Sequence, residues 1–178
     1  MAYFILSAIE AAPEDVAWIE DLRSAHDPHH GLVAPHATLV FGFERPSLAT
    51  VADHVDEVAR RFAPIVCRLT SARAQRDLAG AGSHLFLIPN SGAAEITALH
   101  DALYDGPLRG DLRTDIAFVP HVTVGRFDEP SAAEALARRL TDQVDVAARL
   151  SRLDLVAFDG GPVAPVASWT LAGDWPAS

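Results

Sequence analysis

The chain contains the tripeptide His-x-Thr twice, each time directly after a proline and at the start of an apolar run, at residues 36–38 and 121–123. Each copy ends the same order of predicted elements: a strand, a helix, a loop ending in proline, and the His-x-Thr strand. This weak internal repeat predicts two similar halves. Because the apolar face of a sheet must pack against another layer, we expect an α+β fold with two lobes and a central cleft between two antiparallel sheets.

Hydrophobic periodicity predicts the individual elements. No low-complexity linker divides the chain, so we expect a single domain over residues 1–178. Ser131, followed by Glu134, predicts a capping box at the start of the last helix. The predicted strands are 2–9, 36–43, 64–73, 83–89, 119–127, 146–158 and 166–172, and the predicted helices are 13–25, 47–62, 91–104 and 131–142.

The charge of the chain limits its partners. The net charge is −10, which leaves no basic field to hold a long nucleic acid by counterion release. We therefore expect a small nucleotide or a short RNA terminus as the partner. All fourteen basic residues are arginine, and the absence of lysine excludes a lysyl-nucleotide intermediate, a Schiff base and a Walker A lysine.

Other general features point to an ordinary intracellular protein. No apolar run approaches the roughly 18–20 residues of a membrane span, and the N-terminus lacks the basic region of a signal peptide. We expect a cytoplasmic monomer without membrane contact. The single cysteine, Cys67, excludes an internal disulfide and is predicted to be buried. His54 and His100 lie on predicted helices and are expected to face solvent, whereas the three tryptophans are expected to pack as anchors.

Strand alternation places the His and Thr of each copy on the same face. The opposite face is apolar in both strands and should pack under helices. Burying the polar side chains there without partners would cost a few kcal/mol for each group. We therefore expect the polar face to line the cleft. Its members are His36, Thr38, His121 and Thr123, and the apolar face is formed by Ala37, Leu39, Phe41, Phe43, Val122 and Val124.

Two imidazoles and two hydroxyls around one small volume suit the cleavage of a phosphodiester. A neutral histidine can accept a proton from the attacking group while a protonated one donates to the leaving oxygen, because the pKa of imidazole lies near neutrality. The threonine hydroxyls can donate hydrogen bonds to the non-bridging oxygens, where charge accumulates. The sequence does not indicate which histidine is the acid and which is the base.

Two other interpretations of the motifs are open. A metal site needs three or four converging ligands, but threonine is a poor zinc ligand and no matching carboxylate occurs on the same strands. Alternatively, both histidines are structural. The cluster His26, His29 and His30 is also compatible with a metal, but it is better explained as a mobile polar loop at the mouth of the cleft. No metal and no cofactor is predicted.

The motifs resemble those of the 2H phosphoesterase superfamily, which includes bacterial 2′-5′ RNA ligase-like proteins and RNA 2′,3′-cyclic phosphodiesterases. The defining H-x-[ST]-hydrophobic motif is matched at residues 36–39 and 121–124, and Asp27-Pro28 followed by Pro35-HATLVF looks like the family's D-P…P-H-x-T-L-x-F stretch. The resemblance covers roughly residues 26–43 and 84–127. It implies that His36 and His121 are the acid/base pair and that Thr38 and Thr123 bind the phosphate.

The resemblance also implies a role for Arg126, which stands where an arginine often follows the second motif. Strand parity puts Arg126 on the face opposite His121, so substrate contact would require a bulge or a strand end; otherwise Arg126 is a solvent-facing charge. Parity likewise puts Phe41 in the core. The first motif departs from the RNA ligase-like pattern after Phe41, where the chain reads Gly42-Phe43 and has no arginine, which disfavours binding of long RNA.

The sequence therefore predicts a metal-independent phosphodiesterase that opens 2′,3′-cyclic phosphates of nucleotides or RNA ends, with weak 2′-5′ RNA ligase activity as a side reaction. Three alternatives are open. They are hydrolysis of another cyclic phosphate, trimming of RNA 3′ ends, and a nucleotide-binding sensor that has lost turnover.

Overall fold

The computed structural model describes residues 1–77 and 80–175, which form two antiparallel sheets and four α-helices. The predicted α+β fold with two sheets is confirmed. In chain order the elements are β1 (Ala2–Ala8), β2 (Glu10–Ala11), α1 (Pro13–His26), β3 (His36–Phe43), α2 (Leu48–Arg61), β4 (Ile65–Arg76), β5 (Ser83–Ser91), α3 (Ala93–Tyr104), a 3₁₀ turn (Arg109–Asp111), β6 (Val122–Phe127), α4 (Pro130–Leu140), β7 (Val146–Leu150), β8 (Arg152–Phe158) and β9 (Ala164–Thr170).

The two His-x-Thr segments lie at sheet edges. The first sheet has the order β3-β1-β8-β9 and the second has the order β2-β7-β4-β5-β6. β3 therefore forms one edge of the first sheet, and β6 forms one edge of the second. β3 also contacts β6, so the two motif strands meet where the sheets adjoin. β6 begins at Val122 rather than at the predicted residue 119, and His121 directly precedes it.

The helix that precedes each motif strand packs against the motif strand of the other half. α1 precedes β3 but packs against β6, whereas α3 precedes β6 but packs against β3. On α3, the His100 ring donates from Nδ1 to the carbonyl oxygen of Leu39 at 2.7 Å, and the Tyr104 hydroxyl accepts from the backbone N–H of Phe41 at 3.1 Å. These bonds satisfy backbone groups on an edge strand that would otherwise need water or another strand.

The predicted exposure of two helical histidines is wrong. His100 is 3% exposed and stacks on Phe118 with 3.7 Å between ring centroids, and burial lowers its pKa. His54 is half-buried and its Nε2 lies 3.0 Å from the carbonyl oxygen of Leu103. The predicted burial of Cys67 is confirmed, and burial raises the pKa of its thiol to about 11.

The outward position of Phe41 also corrects its predicted burial. In the β1–β3 ladder Leu6 pairs with Thr38, but its neighbour Ile5 pairs with Val40. The extra residue on β3 is a bulge, which shifts the alternation of the side chains that follow it. Val40 is consequently buried, and Phe41 is 40% exposed.

Two predictions for the C-terminal part of the chain are also wrong. The predicted strand 146–158 is two strands, because Leu150 pairs with Ile65 in the second sheet while Arg152 pairs with Thr170 in the first. The capping box predicted from Ser131 is absent. Instead, α4 starts at Pro130, a residue that suits the first helical position because that position needs no N–H bond within the helix.

The anchoring role predicted for the tryptophans fits their surroundings. Trp18 and Trp169 are partly buried against the apolar core, which runs continuously between the sheets and helices, and Trp175 contacts the Phe62 ring at 4.6 Å between centroids. Within residues 1–77 and 80–175, the helices are too short or too polar to cross a bilayer.

Candidate active site

The two motif histidines are held by the same kind of hydrogen bond to the backbone. Nδ1 of His36 lies 2.8 Å from the carbonyl oxygen of Ala34, and Nδ1 of His121 lies 2.6 Å from that of Val119. In both cases the acceptor is two residues earlier and a proline lies between. Because a carbonyl oxygen can only accept, each Nδ1 carries the hydrogen, and Nε2 is the nitrogen left for proton exchange.

The side chains of His36 and Thr38 lie on one face of the first sheet, as alternation predicts. His36 pairs with Ala8 and Thr38 pairs with Leu6 in the β1–β3 ladder, and directly paired residues share a face. His36, Ala8 and Leu6 line a groove of about 430 Å³ on the open face of the first sheet. The far side of this groove includes Asp154, which accepts a 2.6 Å hydrogen bond from the Ser168 hydroxyl.

The second motif lies at the edge of the other sheet, whose strand β6 contacts β3. Thr123 pairs with Phe86, and the Phe86 ring stacks on the His121 ring with 3.7 Å between centroids and 21° between planes. The charge of His36 acts on the pKa of His121. Because such an effect decays with separation and with screening, the two histidines occupy one electrostatic neighbourhood.

Arg126 lies on the same face as Thr123, because β6 contains the bulge that its predicted contact with substrate requires. His84 pairs with Arg126 and Phe86 pairs with Thr123, so two steps on β5 match three steps on β6. The β-bulge supplies the extra residue and returns Arg126 to the face of Thr123. Its Nη2 donates to Asp77 Oδ2 at 3.2 Å and to the carbonyl oxygen of Ala81 at 3.3 Å.

A glycine makes room for α1 beside this bulge. A Cβ atom on Gly125 would lie 2.9 Å from Cβ of His26, closer than real Cβ atoms approach. Gly125 therefore allows the end of α1 to rest on β6, where the His26 and Phe127 rings lie 5.2 Å apart.

Arg23, a residue that no sequence motif singles out, organises the segment leading to His36. Its side chain is 1% exposed, and its Nε donates to Asp27 Oδ2 at 2.9 Å. Its Nη2 donates to the carbonyl oxygen of Val33 at 2.8 Å, and the carbonyl oxygen of His29 lies 3.4 Å away. Arg23 thus links α1 to both ends of the loop before β3. Asp27, which accepts a hydrogen bond from Arg23, has a structural role in this link.

The histidines of that loop do not converge. His26 packs on Phe127, His29 meets the Phe158 ring edge-on at 5.8 Å, and His30 lies 3.4 Å from Glu20. Among the residues that the structure describes, no group of three or more His, Cys, Asp or Glu side chains is arranged to hold a metal ion. The contacts of Arg23 restrain the loop, and its predicted mobility remains a prediction.

Burial lowers the pKa of both motif histidines. It brings the pKa of His121 to about 4, against the opposing effect of the bond to Val119 and with further lowering by the positive charge of His36. For His36 burial again dominates, the bond to Ala34 opposes it, and the charges of Arg23 and Asp27 lower and raise the pKa respectively. Both imidazoles are therefore neutral at neutral pH, and a bound anion would favour their protonation.

These shifts predict a loss of stability in mild acid. The pKa values of His36, His84, His100 and His121 are all lowered from 6.5 in the folded chain, mainly by burial. Between the two pKa values the unfolded state binds more protons, so the free energy of unfolding falls as the pH decreases. One pKa unit corresponds to about 1.4 kcal/mol, and we expect a loss of about 2 kcal/mol between about pH 7 and pH 4.5 in urea unfolding.

Replacing His121 with glutamine serves as the control for this pH dependence, because it removes the group whose pKa falls to about 4. The decline in stability should be shallower in that variant. A wild-type protein whose stability stays level or rises as the pH falls through this range would contradict the assignment of buried, neutral histidines.

Phe86 is a positioning residue for His121, since the stacked ring limits how the imidazole can rotate. For the phosphodiester hydrolysis that the motifs predict, we expect Phe86→Leu to lower kcat by about tenfold with little change in KM, because misorientation affects the transition state more than binding. Phe86→Tyr keeps the ring and should retain most of the activity. Equal kcat values for the leucine variant and the wild type, measured by steady-state kinetics, would exclude this role.

A family model described as the 2′-5′ RNA ligase superfamily matches residues 11–162. Among curated proteins, a Geobacillus kaustophilus protein provisionally named as a phosphoesterase is 30% identical over 115 residues, which cover 64% of this chain and 62% of that protein. A Halalkalibacterium halodurans protein with the same provisional name is 28% identical over 155 residues, which cover 84% of this chain and 82% of the relative.

Solved structures with similar folds are more distant in sequence. The protein TT0787 of Thermus thermophilus superimposes with a TM-score of 0.63 at 21% identity over 98% of this chain and 100% of its own. Escherichia coli LigT, crystallised with NADP⁺, gives 0.56 at 18% identity over 97% and 99%. Usb1 of Kluyveromyces marxianus gives 0.54 at 10% identity over 93% and 98%. These likenesses concern the fold.

Proposed function

The chain belongs to the 2′-5′ RNA ligase superfamily, and we propose that it is a phosphodiesterase that opens 2′,3′-cyclic phosphates of nucleotides or short RNA ends. The observation that carries this proposal is the matched pair of imidazoles, each fixed through Nδ1 by a backbone carbonyl and each left with Nε2 for proton transfer. The resemblance to 2H phosphoesterases that the motifs predicted is confirmed at the level of the family.

In the proposed reaction one neutral histidine removes a proton from water while the water oxygen attacks phosphorus. The bond between phosphorus and one ribose oxygen breaks, and the other histidine, in its protonated form, donates a proton to that oxygen. The products are a phosphomonoester and a free hydroxyl, and each proton transfer contributes roughly 10²–10⁴-fold to the rate. The cycle closes when the first histidine passes its proton to solvent and the second regains one.

The low pKa of His121 suits a general base. Its pKa of about 4 keeps it neutral at physiological pH. Burial also lowers the pKa of His36, with Arg23 lowering it and Asp27 raising it, and a bound phosphate anion would favour its protonated form. We therefore propose His36 as the proton donor to the leaving oxygen and His121 as the acceptor of the proton of water.

Thr38 and Thr123 are proposed to donate hydrogen bonds to the non-bridging oxygens, where negative charge grows in the transition state. Arg126 lies on the same face as Thr123 and adds positive charge at that end of the cleft. Its guanidinium offers several donors in a fixed plane, so the contact with Asp77 leaves further N–H groups for substrate.

The same pair of histidines would support a weak joining of two RNA ends as a side reaction. If the 5′-hydroxyl of an RNA end takes the place of water, the histidine base removes its proton and the phosphorus–3′-oxygen bond breaks, which leaves a 2′-5′ linkage. The acid/base roles are otherwise unchanged.

The proposed function is tested by a panel of 2′,3′-cyclic nucleotides and oligonucleotides with cyclic phosphate ends, assayed with EDTA present. Hydrolysis that is insensitive to the chelator supports the proposal. Hydrolysis abolished by EDTA would contradict the metal-independent mechanism. An inert wild type that binds AMP-like ligands would instead identify a sensor.

A further inference from the structure

The open face of the second sheet carries an arginine beyond the His-x-Thr motifs. Arg73 on β4 pairs with Phe86 on β5, and Phe86 pairs with Thr123 on β6. Because directly paired residues share a face, Arg73 lies on the same wall of the cleft as the second motif. The next row on this wall consists of Gln75, His84 and Arg126.

Arg73 acts on the site, but it is not neutralised there. Its positive charge contributes to lowering the pKa of His121. Its side chain is exposed, and its hydrogen bond to the Gln75 side chain is a long one of 3.4 Å. Within residues 1–77 and 80–175 no carboxylate lies within ion-pair distance of Arg73, whereas Arg126 pairs with Asp77 and Arg68 pairs with Asp145.

The spacing of the row indicates where an anion bound to Arg73 would lie. Two strand separations of about 4.8 Å put the Cα atoms of Arg73 and Thr123 roughly 10 Å apart. The Phe86 side chain occupies the position between them and stacks on His121. Arg73 is therefore displaced from the reacting phosphate by the width of one residue, which suits a second anionic group on the same substrate.

The first sheet offers a different environment. The groove that begins at His36 is lined largely by aliphatic side chains, including Leu6, Val156 and Val166. Its Arg152 is paired with Asp154 at 2.9 Å. The two walls therefore differ in charge, and the wall of the second sheet is the better one for an additional phosphate.

We propose that Arg73 determines specificity by binding a second phosphate of the substrate, so that the preferred substrate is a 2′,3′-cyclic phosphate whose nucleoside also carries a 5′-phosphate or a further phosphodiester. This inference rests on the proposed function for its reacting group. It adds a residue on β4, outside both motifs, and a substrate class defined by two phosphates.

The test compares 2′,3′-cyclic AMP with the same molecule phosphorylated at the 5′ oxygen, since both present the same ring to the histidines. We expect the wild type to favour the 5′-phosphorylated substrate by about tenfold in kcat/KM, as for one charge-assisted contact. Arg73→Gln should remove that preference. Arg68→Gln, five residues earlier on the same strand and roughly 16 Å away, should keep it.

A wild type that hydrolyses both substrates equally well would overturn the inference, as would an Arg73→Gln variant that keeps the preference. If neither substrate is hydrolysed, the proposed function fails, and calorimetry then tests Arg73 separately. Binding of adenosine 3′,5′-bisphosphate about tenfold tighter than 3′-AMP in the wild type, lost in Arg73→Gln, supports the inference. Equal affinities in the wild type overturn it.

Discussion

Replacing His36 or His121 with alanine should lower kcat/KM for 2′,3′-cyclic AMP hydrolysis by roughly 10²–10⁴-fold, because each variant loses one of the two proton transfers. The two effects should not add. Once either transfer is lost, the other histidine has no concerted partner, so the double variant should be close to the slower single variant. Steady-state hydrolysis with EDTA present measures all three variants.

His30→Ala is a suitable control for these variants. His30 is an exposed histidine of the preceding loop, near Glu20, and its loss should leave the rate within about threefold of wild type. Turnover that survives in both motif variants would remove the two histidines from the mechanism. A double variant slowed by the product of the single effects would show that they act independently.

Arg23→Met should destabilise the protein by about 3–5 kcal/mol, because it removes one partner of a buried ion pair. The substitution leaves Asp27, whose side chain is 5% exposed, without the guanidinium that it faces. It also frees the carbonyl oxygen of Val33. Urea unfolding of the purified variant measures the change in free energy, with the wild type measured alongside.

Arg60→Met provides the matched control for the buried arginine. Arg60 also pairs with an aspartate four residues away on a helix, but its side chain is 73% exposed, and exposed pairs contribute about 0–1 kcal/mol. If Arg23→Met costs no more than Arg60→Met, the network that fixes the loop before His36 does not hold the fold as described.

The motif strands could be predicted because their signal is local. Proline, His-x-Thr and alternating apolar residues fix the relative position of His36 and Thr38 within a few residues, and the ladder with β1 places both on one face as alternation requires. The amphipathic pattern that predicts α2 is equally local. The observed start of this helix is supported by Ser47, whose side-chain oxygen accepts a hydrogen bond from the backbone N–H of Thr50 at 3.3 Å.

Bulges explain why strand alternation alone gives the wrong face for Phe41 and Arg126. Alternation counts residues along one strand, but Phe41 and Arg126 each follow a position where the partner strand has one residue fewer. That difference depends on the pairing with β1 or β5, which the motif strand alone does not reveal. For Arg126 the bulge is the one that its predicted contact with substrate requires.

Long-range packing explains the remaining differences. His100 is buried because α3 crosses to β3, which lies sixty-one positions earlier at Leu39, and nothing in the helix itself indicates that partner. Similarly, apolar alternation continues from β7 into β8, so a single strand is predicted where the chain passes from one sheet to the other at Ser151. Arg23 looks locally like a helical surface charge, yet its carbonyl partners lie in the loop before β3.

The central claim is that His36 and His121 bind the same phosphate from two sides. It is tested most directly by nitrogen NMR of the imidazole rings during titration with inorganic phosphate. The two Nε2 signals, assigned with His36→Gln and His121→Gln, should both move and should give one common dissociation constant. If only one ring responds, or if the two rings report different dissociation constants, the histidines do not share a phosphate and the account is wrong.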